Sequence, residues 1–257
     1  MKNKVLGLIP CRLSSKRLPQ KPLLKINGVP LIIHTYLRAK QSKKLDDLVI
    51  CCDDKRILKI ANKYNAKAIL TSKKHKNGTE RIYEGYYKIK KKYNFIVDIQ
   101  GDEPLIDPKH IDKVIEFHKK NRSTGIILPS LRKKNIDSKN IVKVIATDDG
   151  TVLYLSRSLS PFYFRDKKKI FLKHLSIISF KPETLKKFFY SKQTKLEKIE
   201  GVELLRALEI GIKIKTFILK GDSFSVDIKQ DYEKAKKFMK KDKFFKKKLK
   251  TFLKKNG

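Results

Sequence analysis

The stretch Val5-Leu6-Gly7-Leu8-Ile9-Pro10-Cys11-Arg12-Leu13-Ser14-Ser15-Lys16-Arg17-Leu18-Pro19-Gln20-Lys21-Pro22-Leu23 changes character at Cys11. Val5–Pro10 is uncharged and as long as one buried strand, whereas Cys11–Lys21 is a long polar loop. A buried strand opening into Arg12, Ser14, Ser15, Lys16, Arg17 and Lys21 offers guanidinium, ammonium, hydroxyl and amide donors to a single anion. Such a loop can cradle phosphate, although it is neither a Walker A sequence nor a GxGxxG turn. On composition alone, a solvated basic loop is the alternative.

Working outward, short apolar runs alternate with segments of helical period. Pro22–Ile26 reads as extended and ends at the Asn27-Gly28 turn, and Pro30 opens a helix over Leu31–Lys40. Leu48–Cys52 is the next strand, followed by a helix through Tyr64 for which Asp53 is the expected cap. Ala66–Leu70, Phe95–Gln100 and Gly125–Pro129 read as further strands, with helices at Thr79–Lys92 and from Pro108 to about Lys120. This rhythm predicts an α/β fold with a parallel sheet, whose ligands bind at the carboxyl ends of the strands. The second half reads differently. Ile141–Ala146 and Val152–Leu155 form a hairpin, Ile170–Phe180 another extended stretch, Pro182–Tyr190 and Gly201–Ile210 helices, and Ile212–Leu219 a strand. We therefore expect a single α/β domain over 1–240 with an insertion at about 130–200, followed by a Lys/Phe-rich helix or tail over 241–257.

Composition bounds the function. The chain has 257 residues and a formal net charge of +37, with 40% hydrophobic residues, too many for a disordered polycation. Ten of its 63 basic residues are Arg, and the great excess of Lys suits a solvated surface better than bidentate reading of nucleic acid. A Lys-rich nucleic-acid-binding module is the rival from another class. Cys11, Cys51 and Cys52 do not make a disulfide framework and read as buried residues. No signal peptide or membrane span is visible, so a cytoplasmic protein without stable membrane insertion is expected. The basic, Phe-containing C-terminus could rest on an anionic membrane, and a terminal helix packed on the domain is preferred.

The second chemical motif is Val97-Asp98-Ile99-Gln100-Gly101-Asp102-Glu103-Pro104-Leu105. An acidic loop directly after a strand, in so basic a chain, suits a magnesium–triphosphate site opposite a basic loop. The alternative is a turn into the next helix.

These residues resemble a family. Ile9–Leu23 is similar to the IPARxxSxRLPGKPL signature of the 3-deoxy-manno-octulosonate (Kdo) cytidylyltransferases. The resemblance continues through Ile26–Ile32, Asp53-Asp54, His75–Arg81 (family pattern HxSGTxR), Val97–Leu105, Val142–Val144, Tyr154–Arg157, Lys173–Leu175, Leu196–Glu200, Glu203–Arg206 and Val226-Asp227. It spans nearly the whole chain to about residue 240.

The resemblance implies a mostly parallel Rossmann-like nucleotidyltransferase sheet with a smaller β-rich lid or dimerisation insertion, and a homodimer. It implies magnesium-dependent transfer of CMP from CTP to Kdo for lipopolysaccharide biosynthesis, releasing pyrophosphate. A related sugar acid, such as 8-amino-Kdo or a nonulosonate, is the runner-up substrate. By carry-over, Arg12 and Lys21 hold the CTP phosphates, with Ser14, Ser15 and Arg17 in the same loop. Asn77, Gly78, Thr79 and Arg81 line the nucleotide and sugar region, Gln100 contacts nucleotide or sugar, and Asp102 and Asp227 ligate Mg2+. Arg12, Lys21 and Asp102 form the catalytic set, while Arg157, His174 and Glu203 face the sugar acid.

Plainer roles exist for some of these. His174 could be a core histidine, His75 a solvated turn residue, and Asp227 a helix cap in competition with Asp231. The chain also departs from the pattern: Cys11 stands for Ala, Gln20 for Gly, Asn77 for Ser, Ile178 for Tyr and Leu204 for Gln. We expect Gln20 to alter the loop backbone, and Ile178 and Leu204 to remove polar groups from the sugar pocket.

Overall fold

A computed structural model describes residues 3–134, 136, 138–165 and 169–242. The chain forms two compact units: one comprises residues 6–91, 99–109 and 223–257, the other residues 1–5, 92–98 and 110–222.

In the first unit, β1 (Val5–Cys11) is buried throughout, as its unbroken apolar run requires. A 3-10 turn at Lys21–Leu23 precedes the hairpin of β2 (Lys25–Ile26) and β3 (Val29–Pro30), and α1 (Leu31–Ala39) follows. Next come β4 (Asp47–Cys52), α2 (Lys55–Lys63), β5 (Ala68–Leu70) and α3 (Gly78–Ile89). β1, β4 and β5 pair in parallel, with Ile9 opposite Ile50 and Cys51 opposite Ile69. The parallel β–α rhythm read from the sequence is thus present. Among the described residues the three cysteines form no disulfide, and all are buried; burial pushes the Cys52 thiol up to about 11 and raises that of Cys11 as well.

One expected cap moves by a residue. Asp54, not Asp53, caps α2 by accepting from the Arg56 amide at 2.9 Å. A carboxylate caps only from extended backbone at the residue just before the helix, which is where Asp54 lies.

In the second unit the elements are β6 (Phe95–Ile99), α4 (Pro108–Lys120), β7 (Ile126–Ile127), β8 (Ser130–Lys134), β9 (Lys143–Ala146), β10 (Val152–Ser156), β11 (Ile170–His174) and β12 (Ile177–Phe180). They continue with α5 (Pro182–Tyr190), α6 (Lys195–Glu200), α7 (Leu204–Glu209), β13 (Ile214–Lys215) and β14 (Ile218–Leu219). One sheet runs in the order β10-β9-β11-β8-β14, and β13-β7-β12-β6 lie side by side in another. The hairpin read at 141–155 is β9–β10.

Three expectations need correction here. Ile170–Phe180 is not one strand: β11 pairs with β8, and β12 pairs with β7 in the other sheet. The stretch Ile212–Leu219 divides likewise into β13 and β14. The helix expected at Gly201–Ile210 begins only at Leu204, and α6 precedes it. Both strand splits are invisible to periodicity, because each piece is apolar on the face it buries.

The last described helix, α8 (Lys229–Lys241), belongs to the first unit. Ala235 and Met239 join a buried cluster with Leu18, Ile26, Leu31 and Val226, while the Tyr232 hydroxyl donates to the Lys25 carbonyl at 2.6 Å. The tail over 243–257 lies outside the described residues. Among those described, no helix is long and apolar enough to cross a membrane.

Burial pushes His34, His118 and His174 down to about 4, each mainly by desolvation. A histidine at ~6.5 in the unfolded chain then binds its proton more tightly unfolded than folded, so the stability from its neutral form is present above pH 6.5 and lost as pH falls toward 4. Denaturant melts at pH 7 and 4.5 are expected to differ by ~2 kcal/mol for each of the three. His118→Gln, which can keep a bond to Ser179 (2.7 Å in the wild type), should flatten part of that slope.

Candidate active site

The residues read as nucleotide- and metal-facing all lie in the first unit. Three loops meet at the end of β1. A Cβ on Gly101 would stand 2.8 Å from the Pro10 carbonyl oxygen, so only glycine lets the 100–104 loop approach this closely. A Cβ on Gly78, the first residue of α3, would lie 3.2 Å from Gln100 Nε2 and 3.3 Å from Pro10 Cγ. Asn77 caps α3 by accepting from the Glu80 amide at 2.8 Å, and so does what the family's Ser is suited to do. Thr79 is fully buried in the first turn, and its hydroxyl has no hydrogen-bond partner among the described residues.

Two carboxylates converge on one cation. Lys21 Nζ donates to Asp102 Oδ2 at 2.7 Å and to Asp227 Oδ1 at 3.2 Å, and Arg17 Nη2 lies 3.2 Å from the same Asp227 oxygen. The backbone holds the acidic loops together, since the Val226 amide donates to the Asp102 carbonyl at 2.9 Å. Asp227 is free of helix capping because Asp231 does that work, accepting from the Asp227 and Ile228 amides at 3.1 and 3.2 Å. Arg12 and Ser14 are exposed along the loop, and Ser15 accepts from the Leu18 amide.

Gln20, where the family pattern has Gly, takes up a backbone conformation that glycine adopts freely. It sits at φ 51, ψ 29, the left-handed region that glycine favours. For a residue with a Cβ that conformation costs ~1–2 kcal/mol, partly offset by the chain entropy glycine would lose. Gln20→Gly is expected to stabilise the protein by roughly 0.5–1 kcal/mol in denaturant unfolding.

Arg81, read as lining the nucleotide, is held by a buried set of contacts. It is 3% exposed, and its guanidinium contacts Asp53, Thr71 and Ser72. His75 bonds to Glu84, which also accepts from the Ser72 amide and the Lys88 ammonium, so the turn before Asn77 is stapled to α3. His75 therefore has a defined partner, unlike the solvated alternative.

In the second unit, Arg157 donates through Nε to the Glu200 carbonyl at 2.8 Å, through Nη1 to the Lys139 carbonyl at 3.0 Å and through Nη2 to the Gly201 carbonyl at 3.2 Å. In this conformation its guanidinium ties backbone segments together. Buried Lys143 does the same for the carbonyls of Ser138, Ile141 and Arg157. His174, on β11, is half-buried, and burial, then Lys173 and Arg157, holds it neutral at pH 7. Glu203 is half-buried just before α7. Ile178 and Leu204, expected to leave a pocket short of polar groups, are 3% and 2% exposed and belong to the core. Sequence reasoning missed the buried pair of Arg206 and Glu197, joined at 2.7 and 2.6 Å. A charge in an apolar helix was its only signal.

Known proteins share this organisation. A family described as cytidylyltransferase matches residues 6–214. A 3-deoxy-manno-octulosonate cytidylyltransferase of Thermodesulfovibrio yellowstonii is 40% identical, covering 90% of this chain and 96% of its own. The mitochondrial 3-deoxy-manno-octulosonate cytidylyltransferase of Arabidopsis thaliana is 35% identical over 93% of this chain and 84% of its own. A solved structure described as CMP:2-keto-3-deoxy-manno-octonic acid synthetase complexed with CTP superposes with a TM-score of 0.88 at 29% identity, covering 93% of this chain and 99% of that one. A 4-diphosphocytidyl-2C-methyl-D-erythritol synthase from Anaerococcus prevotii shares the fold at a TM-score of 0.61 and 15% identity. With such matches along almost its whole length, this chain belongs to the cytidylyltransferase family, among the 3-deoxy-manno-octulosonate cytidylyltransferases.

Proposed function

We propose that this protein transfers CMP from CTP to the anomeric hydroxyl of Kdo, giving CMP-Kdo and pyrophosphate for lipopolysaccharide biosynthesis. The observation that carries the reading is the convergence of Lys21, Arg17, Asp102 and Asp227 at the end of β1, in a chain whose relatives bear this enzyme's name.

The chemistry asks for what these residues offer. The anomeric oxygen attacks the α-phosphorus in line with the departing pyrophosphate, and a triphosphate and a carboxylate repel each other on approach. Arg12, Arg17 and Lys21 offset that repulsion and stabilise negative charge building on the leaving group. Ser14 and Ser15 add hydroxyl donors, and Gln100, beside Gly78, is assigned to nucleotide or sugar. Asn77, Gly78 and the unpartnered hydroxyl of Thr79 line the start of α3, where helix amides favour anionic groups. Arg157, His174 and Glu203 are assigned to the sugar acid. For Arg157 this requires exchanging backbone carbonyls for a substrate carboxylate.

Magnesium is part of the proposal. Asp102 and Asp227 already share one cation, the Lys21 ammonium, which stands where two hard oxygen ligands converge. Among the described residues no group of three or more His, Cys, Asp or Glu could hold a metal. Two carboxylates with phosphate and water completing the shell is the usual arrangement for Mg2+, so the residues fit. When bound, the ion supplies Lewis-acid stabilisation of the phosphates and lowers the pKa of the attacking hydroxyl. A homodimer is proposed on the same family reading, and Phe162 and Phe164, 83% and 84% exposed, are suited to a subunit contact. Sedimentation velocity tests it, and a monomer at micromolar concentration refutes it.

The reading is tested by coupled pyrophosphate release from CTP and Mg2+ with a panel of acceptors. Kdo is expected to be the best acceptor, ahead of 8-amino-Kdo and nonulosonates. Turnover of sugar 1-phosphates with no turnover of any sugar acid refutes the reading.

A further inference from the structure

We propose that Asp53 and Arg81 are positioning residues: a buried ion pair that holds the backbone between Arg12 and Ser14 in the conformation that receives the triphosphate, with Arg81 not itself touching nucleotide. The nucleotide part of this inference rests on the cytidylyltransferase reading; the loop part does not.

Adjacent aspartates at the end of β4 divide two tasks. Asp54 caps α2, and Asp53 turns to the phosphate loop, where its Oδ1 accepts from the Leu13 amide at 2.9 Å. Its Oδ2 lies 3.4 Å from Arg81 Nη2. The other arm of the same guanidinium, Nη1, donates to Thr71 Oγ1 at 2.8 Å and to the Ser72 carbonyl at 3.1 Å. Thr71 Oγ1 in turn donates to the Cys52 carbonyl at 3.0 Å. Asp53 is 8% exposed and Arg81 3%, while Arg12 and Ser14, flanking the held amide, are exposed.

One network thus joins the ends of β4 and β5, the first turn of α3 and a single amide of the loop. Elsewhere the loop is anchored by side chains, Lys21 to Asp102 and Asp227 and Arg17 to Asp227, while its other backbone bonds, the Leu18 amide to Ser15 Oγ and the Lys21 amide to the Leu18 carbonyl, stay within the loop itself. Among the described residues Leu13 is therefore its backbone tie to the strand ends. Because displacement of binding groups by ~1 Å can cost ~100-fold in rate, an anchor at this amide acts on the nucleotide without contacting it. Arginine suits the role because its planar fork can serve Asp53 with one arm and Thr71 and Ser72 with the other, which a lysine cannot do.

The test uses the full chain with Asp53→Ala, Asp53→Asn and Arg81→Lys. Asp53→Asn keeps an acceptor for the Leu13 amide, and it keeps the test decisive should Asp53→Ala fail to fold. Three quantities are measured: amide hydrogen exchange by peptide, CTP affinity by calorimetry without sugar, and KM and kcat. Asp53→Ala is expected to speed exchange in 11–18 by roughly tenfold, leave the β1 and β4 amides protected, and weaken CTP roughly tenfold, chiefly through KM. Asp53→Asn should restore most of the loop protection and bring CTP affinity to within about threefold of wild type. Arg81→Lys should fall between the two. Faster exchange throughout the chain in every variant would make the pair merely structural and overturn the proposal. Weakened CTP with an unchanged loop would also overturn it, by making the contact direct. If the wild type binds no CTP, the reading of the enzyme fails, while the exchange comparison still decides whether Asp53 holds the loop.

Discussion

Asp102→Asn is expected to fold normally and to release pyrophosphate at least ~1000-fold more slowly than wild type at saturating CTP and Mg2+. The side chain lies at a partly open site, and its local backbone is fixed by other means: the Asp102 carbonyl accepts from the Val226 amide, and Gly101 abuts Pro10. Stability should therefore change by less than ~1 kcal/mol. Function differs because asparagine keeps the shape but removes one of the two negative charges that share Lys21. A weaker carboxylate pair binds a divalent ion less well and leaves Lys21 held by Asp227 alone. Manganese binding followed by electron paramagnetic resonance, without CTP, separates these effects from turnover. Wild-type activity in Asp102→Asn would refute the metal assignment.

The largest stability effect is expected far from that loop. Arg206 and Glu197 are both nearly inaccessible; the guanidinium meets the carboxylate through two bonds, donates to the Ser191 carbonyl at 3.3 Å and lies 4.4 Å over the Phe188 ring. Arg206→Ala leaves the Glu197 charge buried without its partner and is expected to cost ~3–5 kcal/mol, or roughly 10 °C in Tm. Removing both charges is predicted to recover much of the loss, because the desolvation of two ions disappears along with their attraction. Melting curves of Arg206→Met, Glu197→Leu and the double variant form the cycle. A double variant as unstable as Arg206→Met would show that packing on Phe188, rather than the uncompensated charge, dominates.

Much of the fold was legible in the residues. β1 is a continuous apolar run and β6 an apolar run broken only by Asp98, α3 and α4 have helical period with Asn77 and Pro108 at their starts, and the parallel β–α rhythm follows from their order. The chemistry of the loops was legible too, because a basic loop and an acidic loop at strand ends are informative even in a chain of net charge +37. Less legible was the choice between neighbouring residues of the same type. Asp53 and Asp54 are chemically alike in sequence, and only the backbone direction at the end of β4 gives one to α2 and the other to Leu13. Asp227 and Asp231 were competitors until the helix start placed Asp231 where it could take two amides.

The sequence by itself thus determined the class of the fold and the family, because apolar period and ordered motifs are local properties written along the chain. It also named the residues that converge on Lys21. Only the tertiary structure decided how those charges are used. It divided Ile170–Phe180 and Ile212–Leu219 between two sheets, turned Arg81 inward to Asp53, bound Arg157 to backbone carbonyls, and sank Ile178 and Leu204 into the core. The physical reason is common to all of them. A side chain's role depends on which distant groups share its solvent-free space, and burial and pairing across tens or hundreds of residues leave no local trace in the sequence.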